Sequence, residues 1–198
     1  MKDLILASSS GIRKIILEKH NFNILVHAPN VDEEEIKRSL LQENAKPKEV
    51  AETLARLKAV KISGKYKDQI VLGADQVLSL EGRIFNKPKD KKEAKFILKQ
   101  LNNREHELIS SICLAKNGSS VWSYTEISFL KMKKFDDLYF DEYLNNISDD
   151  ILQRYGVYQI EDEGRKLFSE IKGDDFSIMG MPVDALINYF KMHEKKYK

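Results

Sequence analysis

The stretch from Ile70 to Leu80 is apolar enough for one buried strand, yet it carries Gly73-Ala74-Asp75-Gln76 in its middle. A carboxylate set among Val71, Leu72, Val77 and Leu78 must have a partner or a task, because an isolated charge is too costly to bury. Gly73 and Ala74 leave room for a ligand to approach the backbone. Two readings of Asp75 are open at this level. It is either one half of a structural salt bridge, with Lys58 or Lys87, or a functional carboxylate.

The segments around this strand alternate in period. Leu4-Ile5-Leu6-Ala7 reads as a short strand that ends in Ser8-Ser9-Ser10, and Ile12, Ile15, Ile16 and Leu17 then recur at helical spacing. Phe22 to His27 predicts a second strand, followed by a polar loop over 30–35. Pro47 opens a helix with Val50, Leu54, Leu57 and Val60 on its apolar face. Glu81-Gly82 turns the chain back through Arg83 to Phe85, and Asp90 caps a helix that Asn102-Asn103 ends. Two long runs between His106 and Lys134 flank Asn117-Gly118, a strong two-residue hairpin signal. Asp136-Asp137 opens a helix through Tyr143. The alternation from Tyr155 to Ile171 suits strands around Asp162-Glu163-Gly164, Gly173-Asp174-Asp175 reads as a turn, and Pro182 begins a terminal helix with a basic solvated tail. Early βα alternation and later antiparallel strands predict an α/β fold with a sheet of mixed direction.

Composition bounds the function classes. The 198 residues, 42% hydrophobic, suit one domain spanning 1–198, with no repeat and no linker. Lys plus Arg number 33 against 31 Asp plus Glu, which gives no overall reason to bind a polyanion, so nucleic acid is not an expected partner. A lone cysteine, Cys113, excludes an internal disulfide and a multi-thiolate zinc site, and reads as a core residue of a reduced, cytoplasmic protein. The four histidines lack metal-ligand spacing, and no apolar run approaches a membrane span. Trp122, Tyr124 and Phe129 read as strand residues packed on the core.

Two further polar groups fall where chemistry could sit. Ser8, Ser9 and Ser10 at a helix start, with Arg13 one turn on, suit phosphate oxygens; the alternative is an ordinary serine cap with a surface arginine. Asp32 to Glu35 could lend a carboxylate to a divalent cation, or could simply favour a helix start.

Taken together, Leu6-Ala7-Ser8-Ser9-Ser10 with Arg13, Asp32-Glu33-Glu34, Glu52 through Lys58-Ala59, Gly73-Ala74-Asp75-Gln76-Val77, Lys87-Pro88 with Glu93-Ala94, His106, Tyr158, and Gly173-Asp174 leading to Gly180-Met181-Pro182 resemble the Maf family of nucleoside triphosphate pyrophosphatases over nearly the whole chain. The resemblance implies a mixed twisted sheet in an elongated, two-lobed Maf/ITPase-like fold with a central cleft. It also implies cleavage of a nucleoside triphosphate to the monophosphate and pyrophosphate, a divalent cation (Mg²⁺ or Mn²⁺), and a homodimer. On this resemblance Asp75 is the general base and, with Glu33, a metal ligand. Arg13, Lys58 and Lys87 clamp the triphosphate, assisted by Ser8 and Ser10. Gln76 and Glu161 resemble the branch associated with 7-methyl-GTP, and a carboxylate suits a guanine because it accepts from N1–H and the exocyclic amine. Gly11 and Ile12 depart from the family's usual proline and its arginine or tryptophan. A nucleotide-binding regulator of septum formation with little turnover is the alternative the resemblance also implies.

Overall fold

A computed structural model describes residues 2–193. The basic tail expected after the last helix lies outside them. Seven strands, β1 (Lys2–Ala7), β2 (Phe22–Val26), β3 (Val71–Leu80), β4 (Arg83–Phe85), β5 (Glu105–Lys116), β6 (Ser119–Met132) and β7 (Phe168–Lys172), form one sheet in the order β2-β1-β3-β5-β6-β7, with β4 also on β3. β2, β1 and β3 run parallel, while β3, β5, β6 and β7 are antiparallel, so the sheet is mixed as expected. The helices are α1 (Gly11–Lys19), α2 (Glu33–Gln42), α3 (Pro47–Ser63), α4 (Lys91–Leu101), α5 (Asp137–Asn145), α6 (Asp149–Tyr155), α7 (Asp175–Ile178) and α8 (Val183–Met192), with a 3₁₀ turn at Glu163–Leu167. None of the described helices is long and apolar enough to cross a membrane.

The period-2 pattern of β3 explains why the molecule has two lobes. On one face Leu72 and Ala74 enter a core with α1 and α8, whereas Leu78 and Leu80 enter a second core with α4, α5 and α6. Gln76 lies between them on that face, opposite Ser110 of β5. A polar pair therefore divides the two cores. The other face carries Gly73, Asp75 and Val77 toward α3.

Gly73 sets the approach of α3. A Cβ at that position would lie 2.2 Å from the Ala55 carbonyl oxygen and 2.6 Å from the Ala59 nitrogen, so only glycine lets the helix backbone come so near. Ala55 and Ala59 are fully buried against it.

β3 is also where the sheet opens. β1 runs beside Val71 to Gly73, and β4 pairs only with Leu78 to Leu80 on the same edge. Among the described residues no strand covers that edge of 74–77. The Asp75 segment thus faces a cleft between the lobes.

Three expectations need correcting, and one helix carries no signal in the sequence. The acidic stretch is not a loop: Asp32 caps α2, its Oδ1 accepting from Glu35 N at 3.0 Å, and Ile36 and Leu40 pack on α3. Carboxylates favour a helix amino end, and the i,i+4 apolar pair then supplies the docking stripe. The region from Tyr155 to Ile171 forms a strand only from Phe168; before it come the end of α6, an irregular segment over 156–162 and the 3₁₀ turn. Helix α6 was not foreseen; Ser148 caps it, and just one of its residues, Leu152, is buried, too few for an apolar period. Tyr124 and Phe129 are exposed: Tyr124 lies on the part of β6 beyond the reach of β7, which pairs only with Phe129 to Met132, and Phe129 is exposed even where β7 pairs with it, whereas Trp122 does pack on Tyr189.

Candidate functional site

The cleft encloses about 580 Å³ and has two unlike halves. One is lined by Ser8 to Arg13, Glu33, Lys37, Lys58, Asp75 and Lys87. The other is an apolar slot of Leu78, Phe85, Ile97, Leu108, Ile178 and Met179, walled by residues 156–161. A charged half beside an apolar slot is the shape needed by a flat ring attached to a polyanion.

At the charged end, Lys58 Nζ lies 2.7 Å from Asp75 Oδ1 and 2.7 Å from Glu33 Oε1. Lys58 and Asp75 are only 5% and 4% exposed, while Glu33 opens to the cavity. The bland reading of Asp75 as a salt-bridge partner is therefore present, but it accounts for one oxygen. Asp75 Oδ2 is buried and has no hydrogen-bond partner. Burial pushes the Glu33 carboxyl up, yet the Lys58 charge and hydrogen bond, with Lys37 and Arg13 behind them, hold it below its ordinary value.

Arg13 spends most of its guanidinium on the protein. Nε donates to Gly180 O at 3.0 Å, and Nη1 donates to Ala74 O at 2.8 Å and to Ser8 Oγ at 3.1 Å. Ile5 N–H meets Ile70 O on the β1 side of β3, and four residues on, after β1 has ended, the side chain takes the Ala74 carbonyl that a strand would have taken. Ser8 Oγ also accepts from Ser10 N at 3.2 Å. Ser10 caps α1 without a side-chain bond, so the first-turn N–H groups of α1 border the cavity uncapped by it.

Lys87 Nζ donates to the Arg154 carbonyl at the end of α6, bridging the cleft mouth. Loss of hydration and the nearby Arg13 charge lower its ammonium to about 8, against the opposing pull of Glu33 and Asp75. Gln76 lines the cavity, but its Nε2 donates to Ser110 Oγ at 2.9 Å and Ile178 O at 2.7 Å, so its amide nitrogen tethers α7. Glu161 stands exposed on the slot wall. All nine singled-out side chains, Ser8, Ser10, Arg13, Glu33, Lys58, Asp75, Gln76, Lys87 and Glu161, border this one cavity. Gly180 stands in a motif that the sequence shows, but its contact with Arg13, and the roles of Ser110 and the α7 carbonyls as partners of Gln76, carry no local signal because the partners lie 34 to 167 residues apart.

The donor set suits a hard divalent cation. Among the described residues no three His, Cys, Asp or Glu side chains converge as a cage. Asp75 Oδ2, orphaned, and Glu33 offer two carboxylates in reach of one cavity, which is the usual protein share for Mg²⁺ bound with phosphates.

Comparison with known proteins agrees with this arrangement. The family model described as Maf-like protein matches residues 3–193. A Pelagibacter ubique protein named nucleoside triphosphate pyrophosphatase is 50% identical over 192 residues, covering 97% of this chain and 98% of its own. A Ruegeria pomeroyi protein of the same name is 40% identical, covering 96% and 95%. A Brucella abortus protein named 7-methyl-GTP pyrophosphatase is 34% identical, covering 93% and 92%. With the match running through every element that builds the cleft, this chain belongs to the Maf-like family.

Proposed function

We propose that this chain hydrolyses nucleoside triphosphates at the α-phosphorus, releasing the monophosphate and pyrophosphate. The observation that carries the proposal is the buried, unpartnered Oδ2 of Asp75 at the floor of a cleft that is cationic at one end and apolar at the other. The triphosphate lies along Ser8 to Ser10, Arg13 and Lys87, with the base in the slot. Asp75 takes a proton from the attacking water; the new bond is from that oxygen to the α-phosphorus, and the bond to the bridging oxygen breaks with pyrophosphate as leaving group. Lys58 holds Asp75 and Glu33 in place, and Arg13 fixes the segment at Gly180 while its positive charge, bordering the cavity, attracts the phosphates. Asp75 and Glu33 would hold Mg²⁺ or Mn²⁺, which when bound neutralises charge on the phosphate chain. The homodimer implied by the resemblance and the cytoplasmic setting expected from the lone cysteine go with this proposal, and sedimentation of the purified chain reads the first.

For the base, we assign Glu161 as acceptor for guanine N1–H and amine, with 7-methyl-GTP as a preferred substrate because a carboxylate also favours its cationic ring. Pyrophosphate release from 7-methyl-GTP, GTP, UTP and dTTP with Mg²⁺ or Mn²⁺ tests both levels. Release only from pyrimidine nucleotides discards the base assignment; tight nucleotide binding without release replaces the hydrolase by a binding protein. Glu161→Gln is expected to narrow the advantage of 7-methyl-GTP over UTP by roughly tenfold in kcat/KM, the worth of one charged hydrogen bond.

Lys87 gives this reading a pH signature. Its ammonium faces Arg13, Lys58, Glu33 and Asp75, and it is charged below about 8 and neutral above. A neutral amine attracts phosphate less, so kcat/KM is expected to fall as pH rises through 8. In Lys87→Arg, which stays charged, that alkaline fall is expected to disappear.

A further inference from the structure

The slot wall over residues 157–161 borders the cavity throughout, yet it belongs to no helix or strand. Its backbone ties are local: Gly156 N–H to Leu152 O, and Asp162 N–H to Gln159 O. Val157 and Ile160 bury their side chains in the lobe core and the Tyr143 hydroxyl donates to Val157 O at 3.4 Å, and two further features hold the wall from behind. Gly164 of the 3₁₀ turn lies so near Gln159 that a Cβ there would meet its carbonyl oxygen at 2.4 Å. From the wall itself, the Tyr158 ring turns into the lobe core and its hydroxyl lies 2.6 Å from His106 Nε2.

His106 sits on β5, 1% exposed, and does not border the cavity. Its ring and that of Tyr158 both pack on Phe168, at 5.8 and 4.8 Å between centroids. Burial lowers His106 to about 4 and raises Tyr158, so near neutral pH the pair is an uncharged hydrogen bond. A polar pair in an otherwise apolar core is retained at a cost unless it specifies a position.

Resting on the proposed reading of the cleft, we infer that His106 is a positioning residue: through Tyr158 it sets the wall against which the nucleobase is fitted, and it has no part in holding the triphosphate. The distinction is measurable because inorganic tripolyphosphate carries the polyanion without a base. In His106→Leu, which removes the imidazole partner of the Tyr158 hydroxyl at similar volume, KM for the preferred nucleoside triphosphate is expected to rise roughly fivefold, one hydrogen bond's worth. kcat and the inhibition constant of tripolyphosphate are expected to stay within twofold. His106→Gln, whose amide can either accept from or donate to the Tyr158 hydroxyl, is expected to recover most of the loss. Tyr158→Phe keeps the ring packing and serves if the leucine variant melts below the assay temperature.

An unchanged KM in both His106→Leu and Tyr158→Phe would overturn the inference, as would a parallel loss of nucleotide and tripolyphosphate affinity. If the wild-type chain releases no pyrophosphate, the same comparison is made by equilibrium binding. The hydrolase reading then falls, while the wall anchor stands or falls on the ratio of nucleotide to tripolyphosphate affinity.

Discussion

Asp75→Asn is expected to lower pyrophosphate release by about a thousandfold, the usual worth of a positioned general base. The substitution is nearly isosteric, and the amide oxygen can still accept from Lys58 Nζ, now 2.7 Å from Oδ1. What disappears is the proton acceptor at Oδ2, the one buried oxygen of the pair without a partner. Lys58 also keeps Glu33, so the stability loss should stay near 1–2 kcal/mol rather than the larger penalty of a buried ammonium left alone. Single-turnover pyrophosphate release beside a thermal melt reads both quantities. Turnover within tenfold of wild type in a folded Asp75→Asn protein would remove Asp75 from the chemistry.

Gly73→Ala should produce the largest stability loss of any one-methyl change in the cleft floor. The added carbon would sit 2.2 Å from a helix carbonyl oxygen and 2.6 Å from a helix nitrogen, so α3 as a whole must retreat rather than one side chain. Overpacking against immovable backbone costs about 3 kcal/mol, which in a domain of this size lowers the melting midpoint by roughly 6–12 °C. The retreat also carries Lys58 away from Asp75, so kcat should fall in the protein that remains folded. An unshifted midpoint would mean that α3 has slack which the close packing of Ala55 and Ala59 denies.

These two expectations differ in what made them legible. Asp75 was conspicuous because a carboxylate in an apolar strand is energetically improbable without a reason. Gly73 in the sequence suggests space for a ligand, whereas the structure fills that space with α3, which packs on the same face of the strand as Asp75. The hairpin at Asn117-Gly118 was equally plain: both residues adopt positive φ, which asparagine and glycine tolerate best. Helix α6 and the irregular wall after it left no such trace. Their residues are fixed by long-range partners, such as Lys87 on the Arg154 carbonyl and His106 on Tyr158, rather than by local periodicity.

The balance of 33 basic against 31 acidic side chains described the chain's average and concealed its arrangement. By itself the sequence determined most of the element types outside 30–35 and 149–167, the mixed sheet and the short list of polar residues, because each follows from period, turn chemistry or the cost of burying a charge. The tertiary structure decided which oxygen of Asp75 is left over, that Arg13 replaces a missing strand on Ala74, and that Gln76 tethers α7 with its amide nitrogen. Those outcomes depend on which donors reach which acceptors once β1 stops at Ala7, β4 begins at Arg83 and the cleft opens between them.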